Sequence, residues 1–84
     1  MTIFAGNLSL SVNENDLREK FRIFGKVTFV NIVRDRSNKT SKGFGFIEMP
    51  AQDEAQAAIA GLHGKEFKGK IITVNEARPR SFTV

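Results

Sequence analysis

Phenylalanine alternates with glycine in "KGFGFIEM", residues 42–49, and a third ring, Phe4, stands in "TIFAG" near the start of the chain. Side chains of this kind break no bonds. They offer flat π-surfaces, and Lys42 adds a cation two places before Phe44. Groups that do break bonds are scarce. Cysteine is absent, which removes thiol chemistry and disulfides. His63 is the single histidine, and alone it cannot build a zinc site; its place before Gly64 suits a surface or helix-capping role. "GFGF" lies within a strand instead of opening a helix, so it is no phosphate loop. No serine, histidine and acid arrangement and no pocketed carboxylate pair is suggested. The residues predict binding, with no catalytic residue, metal or cofactor.

Charge sharpens that expectation. The 84 residues carry a net charge of +4, and the cations are not spread evenly. Arg34, Arg36, Lys39 and Lys42 lie together with Asp35 alone among them, Lys65, Lys68 and Lys70 surround Glu66, and Arg78 and Arg80 follow. Glu14, Asp16, Glu19, Asp53 and Glu54 fall in stretches with helical patterning. Basic loops beside acidic helices point to a polyanion meeting one side of the molecule. A hydrophobic content of 40% and a charged content of 26% suit one globular domain. No apolar run reaches the ~20 residues of a membrane span, so the expected partners exclude a membrane.

Six elements must position these residues. "TIFAG", residues 2–6, reads as a strand. Asn13 caps a helix with Asp16 completing a variant capping box, and Leu17, Phe21 and Phe24 form its apolar stripe up to Gly25, which ends it. "VTFVNIVR", residues 27–34, is β-branched and reads as a second strand. "DRSNKTSK" is a long basic hairpin connection, and "GFGFIEM" is the third strand. Pro50 permits a helix to begin nearby, with Ala55, Ala58, Ile59 and Leu62 inward and Gly64 at its end. "KEFKGK" resembles a small hairpin over a core Phe67, and "IITVNEA", residues 71–77, is the fourth strand.

The order βαββαβ predicts an α+β, ferredoxin-like sandwich: a four-stranded antiparallel sheet with both helices on one face. Strand parity then assigns every side chain. Ile3, Ala5, Val30, Ile32, Ile47, Met49, Ile72 and Val74 face the helices. Phe4, Phe44 and Phe46 face the other way, onto a surface nothing covers. Leaving three rings uncovered forgoes several kcal/mol, at ~1.5–3 kcal/mol for each phenylalanine. Exposed apolar patches of this kind mark binding sites.

With those residues in place, the chain resembles the RNA recognition motif family. "KGFGFIEM" fits the family's basic-Gly-aromatic-Gly-aromatic-aliphatic-x-aromatic octamer at all but its last position, and "IFAGNL", residues 3–8, fits the first-strand hexamer. The likeness continues through "LREKFRIFG", "AQAAIAGLHG" and "GKIITVNEA". Met49 replaces an aromatic and Ala5 a bulkier aliphatic, both on the helix-facing side. The resemblance implies a non-catalytic single-stranded RNA binder, with bases stacking on Phe4, Phe44 and Phe46 and phosphates met by Lys42. Stacking of this kind is worth ~1–3 kcal/mol per base whatever the base. It also implies a domain over residues 1–78 with a short tail at 79–84, similar to stand-alone bacterial members. Such a member would be a monomer, cytoplasmic if bacterial and nuclear or cytoplasmic if eukaryotic.

The remaining candidates have weaker signals. Asn31 and Asn75 sit where outer strands can hydrogen-bond base edges, or are simply polar surface. Arg34 and Arg78 flank the sheet as phosphate contacts, and the backbone at Ala77 can reach a base. Phe82 in the tail either closes over a ligand or frays. Phe29 shares a face with Asn31 and Val33 and serves base contact, or core or edge packing. Glu48 tunes repulsion or pairs with a lysine, and Asn7 orders its loop. Single-stranded DNA is an alternative ligand, since rings and a lysine do not test for a 2′-hydroxyl. A protein-interaction module on the same fold is another, though such members lose sheet aromatics. An acyl-phosphate hydrolase would need an arginine in "GNLSLSVNEN", which has none.

Overall fold

The computed structural model describes residues 1–34 and 41–77. Chain order is β1 (Thr2–Gly6), α1 (Glu14–Phe21), β2 (Phe29–Arg34), β3 (Ser41–Glu48), α2 (Gln52–Leu62), β4 (Glu66–Phe67), β5 (Lys70–Ile71) and β6 (Thr73–Glu76). The main sheet runs β2-β3-β1-β6, with every neighbouring pair antiparallel. Central strands β1 and β3 therefore carry the two stretches that hold the rings. The predicted sandwich is what forms.

Capping chemistry starts α1. The Asn13 side chain accepts the Asp16 N–H at 2.9 Å and Asp16 accepts the Asn13 N–H at 3.0 Å, closing the box. The end of α1 corrects the sequence reading. The helix stops at Phe21, well before Gly25, and the chain leaves through tight turns in which Phe24 N–H bonds Phe21 C=O and Gly25 N–H bonds Arg22 C=O. Those turns keep Phe24 half-buried against the core. Helix α2 begins without a side-chain cap at Ala51, one residue after Pro50. His63 follows its last residue, and His63 Nδ1 accepts the Val74 N–H at 3.0 Å, which fastens the helix end to β6.

All eight residues assigned to the helix-facing side of the sheet are buried, as are Leu17, Phe21, Ala55, Ala58 and Leu62. Met49 and Ala5 are completely enclosed, so the two departures from the family pattern fit the core. The strand bounds moved. β2 begins at Phe29 instead of 27, β3 begins at Ser41 instead of 43, and Ile71 leaves the last strand to pair with Glu66 in the β4–β5 hairpin. Lys68 and Gly69, both at positive φ, make the two-residue turn of that hairpin. Phe67 is half-buried against the core as expected, with Lys20 Nζ 5.1 Å from its ring centre. Leu8 and Val12, between the first strand and the first helix, are buried core residues.

Candidate nucleic-acid interface

Register turns strand parity into a map of the open face. Across the sheet, Asn31 pairs with Phe46, Phe46 with Phe4, and Phe4 with Asn75. One transverse row therefore reads Asn31, Phe46, Phe4, Asn75, with two rings flanked by two exposed amides. The next row holds Phe44 opposite Gly6 and Gly6 opposite Thr73. On the other side a third row sets Phe29 opposite Glu48 and Glu48 opposite Thr2.

The three rings form one cluster. Centroids lie 5.9 Å apart for Phe4 and Phe44, 5.8 Å for Phe4 and Phe46, and 6.3 Å for Phe44 and Phe46. Such edge and tilted contacts are favoured by the ring quadrupoles, and they leave each ring half-buried by its neighbours. The planes are not parallel, since Phe44 and Phe46 stand at 87°. A base on each ring would need one phenyl to turn, and phenyl χ2 is soft enough for that.

Two glycines shape this surface. A Cβ at Gly45 would come within 2.5 Å of the Asn31 carbonyl oxygen and 3.1 Å of Ile32 Cα. Glycine there lets β2 and β3 approach closely between the rings. A Cβ at Gly6 would meet the Phe4 ring at 2.7 Å, so the outer edge of the Phe4 ring rests over Gly6. Sequence reasoning assigns the ring but misses its seat, for which the hexamer's Phe-x-Gly spacing is the available signal.

The other expected site residues divide. Ala77 N–H bonds the Thr2 carbonyl at 2.8 Å, which engages its donor in the sheet. Arg34 turns to the first turn of α1, where its guanidinium grips both oxygens of Glu14 at 2.5 and 2.9 Å. The ladder of β2 and β3 is irregular between Ile32 and Arg34. Hydrogen bonding from Arg34 holds the pKa of the Glu14 carboxyl down to about 2. Lys42 lies within β3, but its side chain, together with Arg36, Lys39, Arg78, Arg80 and Phe82, lies outside the described residues.

Asn7 does order its loop, with Nδ2 donating to the Ile71 carbonyl at 2.6 Å. Glu48 finds no lysine among the described residues. Its partners are the Thr2 hydroxyl at 2.6 Å and the Met1 amine at 3.1 Å, which in that order hold its carboxyl below the usual range. Phe29 is 56% exposed on the open face, which removes the core alternative. A hollow of about 470 Å³ lined by Asp16, Glu19, Lys20, Arg22, Ile23 and Phe67 lies in the helix layer. Among the described residues, no group of three or more histidine, cysteine or carboxylate side chains is placed to hold a metal, and no helix is long and apolar enough to cross a membrane.

A sheet with helices on one face and an aromatic cluster on the other defines a two-layer binding domain that works through its strands. The chain belongs to the RNA recognition motif family, whose pattern residues 3–73 match, and it is a binding domain, not an enzyme. It is similar to RbpE of Nostoc sp. (strain PCC 7120 / SAG 25.82 / UTEX 2576), provisionally named an RNA-binding protein, at 45% identity over 95% of this chain and 81% of that one. Among solved structures it is similar to RNA Binding Protein PG1, with a TM-score of 0.92 at 40% identity, covering 95% of this chain and 96% of that one. The SXL-lethal protein/RNA complex aligns with a TM-score of 0.89 at 26% identity over 94% of this chain and 47% of that one.

Proposed function

We propose that this domain binds single-stranded RNA, with bases stacking on Phe4, Phe44 and Phe46 while Asn31 and Asn75 reach base edges from the flanking strands. The observation that carries the reading is the contiguous three-ring cluster on the sheet face away from the helices. A folded domain gains little by leaving that surface open, and bases have the π-faces to cover it. Names of similar proteins support RNA as the polymer. Lys42 and Arg78 supply phosphate contacts. Arg34 joins them by exchanging Glu14 for a phosphate, and the backbone at Ala77 lines the β6 edge.

The test is a titration of the labelled protein with a short RNA and a DNA of the same sequence, followed by amide shifts. Perturbations should centre on β1 and β3 and be larger for RNA. Shifts centred on α1 and α2 would refute the reading, while equal responses to both polymers would replace RNA by single strands in general.

A further inference from the structure

The third row of the open face, Phe29, Glu48 and Thr2, has no part in the three-ring cluster, yet it continues the same surface. Phe29 is more than half exposed on an edge strand, which is costly for a ring with nothing to cover it. Directly across from it stands Glu48. A carboxylate beside stacking rings is an odd neighbour for a polyanion's backbone, because it repels phosphate. It is a good neighbour for a base edge.

The Glu48 side chain is held in place from two directions. Its Oε1 accepts from the Thr2 hydroxyl and its Oε2 from the Met1 amine. An ionised carboxylate has about four lone-pair sites, so each oxygen keeps a second one for a ligand. Opposed residues on adjacent strands stand ~5 Å apart at Cβ. A base stacked on Phe29 therefore presents its edge over Glu48.

We propose that Phe29 and Glu48 form a fourth base subsite, adjoining the three-ring cluster, that takes guanine. It rests on the stacking reading above. The two carboxylate oxygens are acceptors only, so they match an edge with two adjacent donors. Among the RNA bases, guanine alone presents this, with N1–H beside the N2 amino group. Adenine sets a ring acceptor beside its amino group and uracil flanks its single N–H with carbonyls. The purine also covers more of the Phe29 ring.

The experiment measures Kd by fluorescence anisotropy for the heptamers UUUGUUU, UUUAUUU and UUUUUUU. Wild type should bind the guanine heptamer roughly tenfold more tightly than the adenine one. Glu48→Gln removes a charge, which should tighten the adenine and uracil heptamers, but it also removes the paired acceptor that guanine uses, so the guanine-to-adenine ratio should collapse towards one. Phe29→Ala should weaken the guanine heptamer roughly tenfold with the amide spectrum otherwise intact. Equal wild-type affinities for guanine and adenine heptamers, or a ratio that survives Glu48→Gln, would overturn the subsite. Phe44→Ala separates the two claims. If it weakens UUUUUUU while the guanine preference is absent, only the subsite falls; if it leaves UUUUUUU unchanged, the stacking reading falls with it.

Discussion

Along β3, Phe44 and Phe46 alternate with Gly45 and Ile47, and the two sets do different work. Ile47 is completely buried beneath the helices with Ile3 and Ala5, whereas Phe44 and Phe46 pack against each other and Phe4. The same backbone, stepped by one residue, serves two solvents. On the helix side size and fit decide everything, down to a methyl or none. On the open side the rings need only stay close and accessible. The contrast teaches that hydrophobicity alone does not assign a residue to the core; the layer that covers it does.

The contrast breaks most visibly at Phe21, the largest fully enclosed side chain among the described residues. Phe21→Ala should cost ~3–5 kcal/mol of stability, read from urea unfolding, while any folded fraction binds oligomer normally. A small cost would show that the helix face is not the core. Gly45 lies where the two faces meet. Gly45→Ala must push the Asn31 carbonyl aside, and it should cost ~1–3 kcal/mol as overpacking. Unchanged stability would mean that β2 and β3 have slack between the rings.

How much of this was legible follows from periodicity. Strand parity has period two, so once the element order was right, each of the eight helix-facing strand residues and each ring fell on its proper side. Ends were harder. The helix pattern of Leu17, Phe21 and Phe24 persists into the turns after Phe21, because turns closed by i to i−3 bonds keep nearly the same face inward. β3 starts before Gly43, whose φ of +88° is a turn signal in sequence and an irregularity within the ladder here. Leu8 and Val12 lie in no periodic element; the hexamer "IFAGNL" marks Leu8, but nothing in the chain distinguished Val12 from exposed Leu10. Partners of charged groups were least legible. Arg34 was expected to face a phosphate, and Glu48 to tune repulsion or pair with a lysine, but the sequence does not reveal that α1 brings Glu14 to β2, or that β1 brings Thr2 to Glu48.

The Arg34 pair yields a pH prediction with a defined sign. The folded-state pKa of Glu14 is depressed from 4.5 to about 2, so its contribution is present in full above the ordinary value and is lost as pH falls towards 2. Glu14→Gln should flatten the decline in unfolding midpoint across that window relative to wild type. Identical declines would mean that the pair does not persist in solution. A smaller effect concerns residues 78–84. Deleting them should weaken binding, and each phosphate that the shortened chain no longer neutralises should lower the slope of log K against log salt by about 0.7. Superimposed salt lines for the two lengths would remove the tail from the site.

The division between the faces is tested most directly at Phe44, with stability and RNA affinity measured on one preparation. Phe44→Ala should lose ~1–3 kcal/mol of binding to a short single-stranded RNA and about 1 kcal/mol or less of unfolding free energy, as a cross-strand pair does. Wild-type affinity, or a stability loss as large as that of Phe21→Ala, would contradict an open face built for stacking.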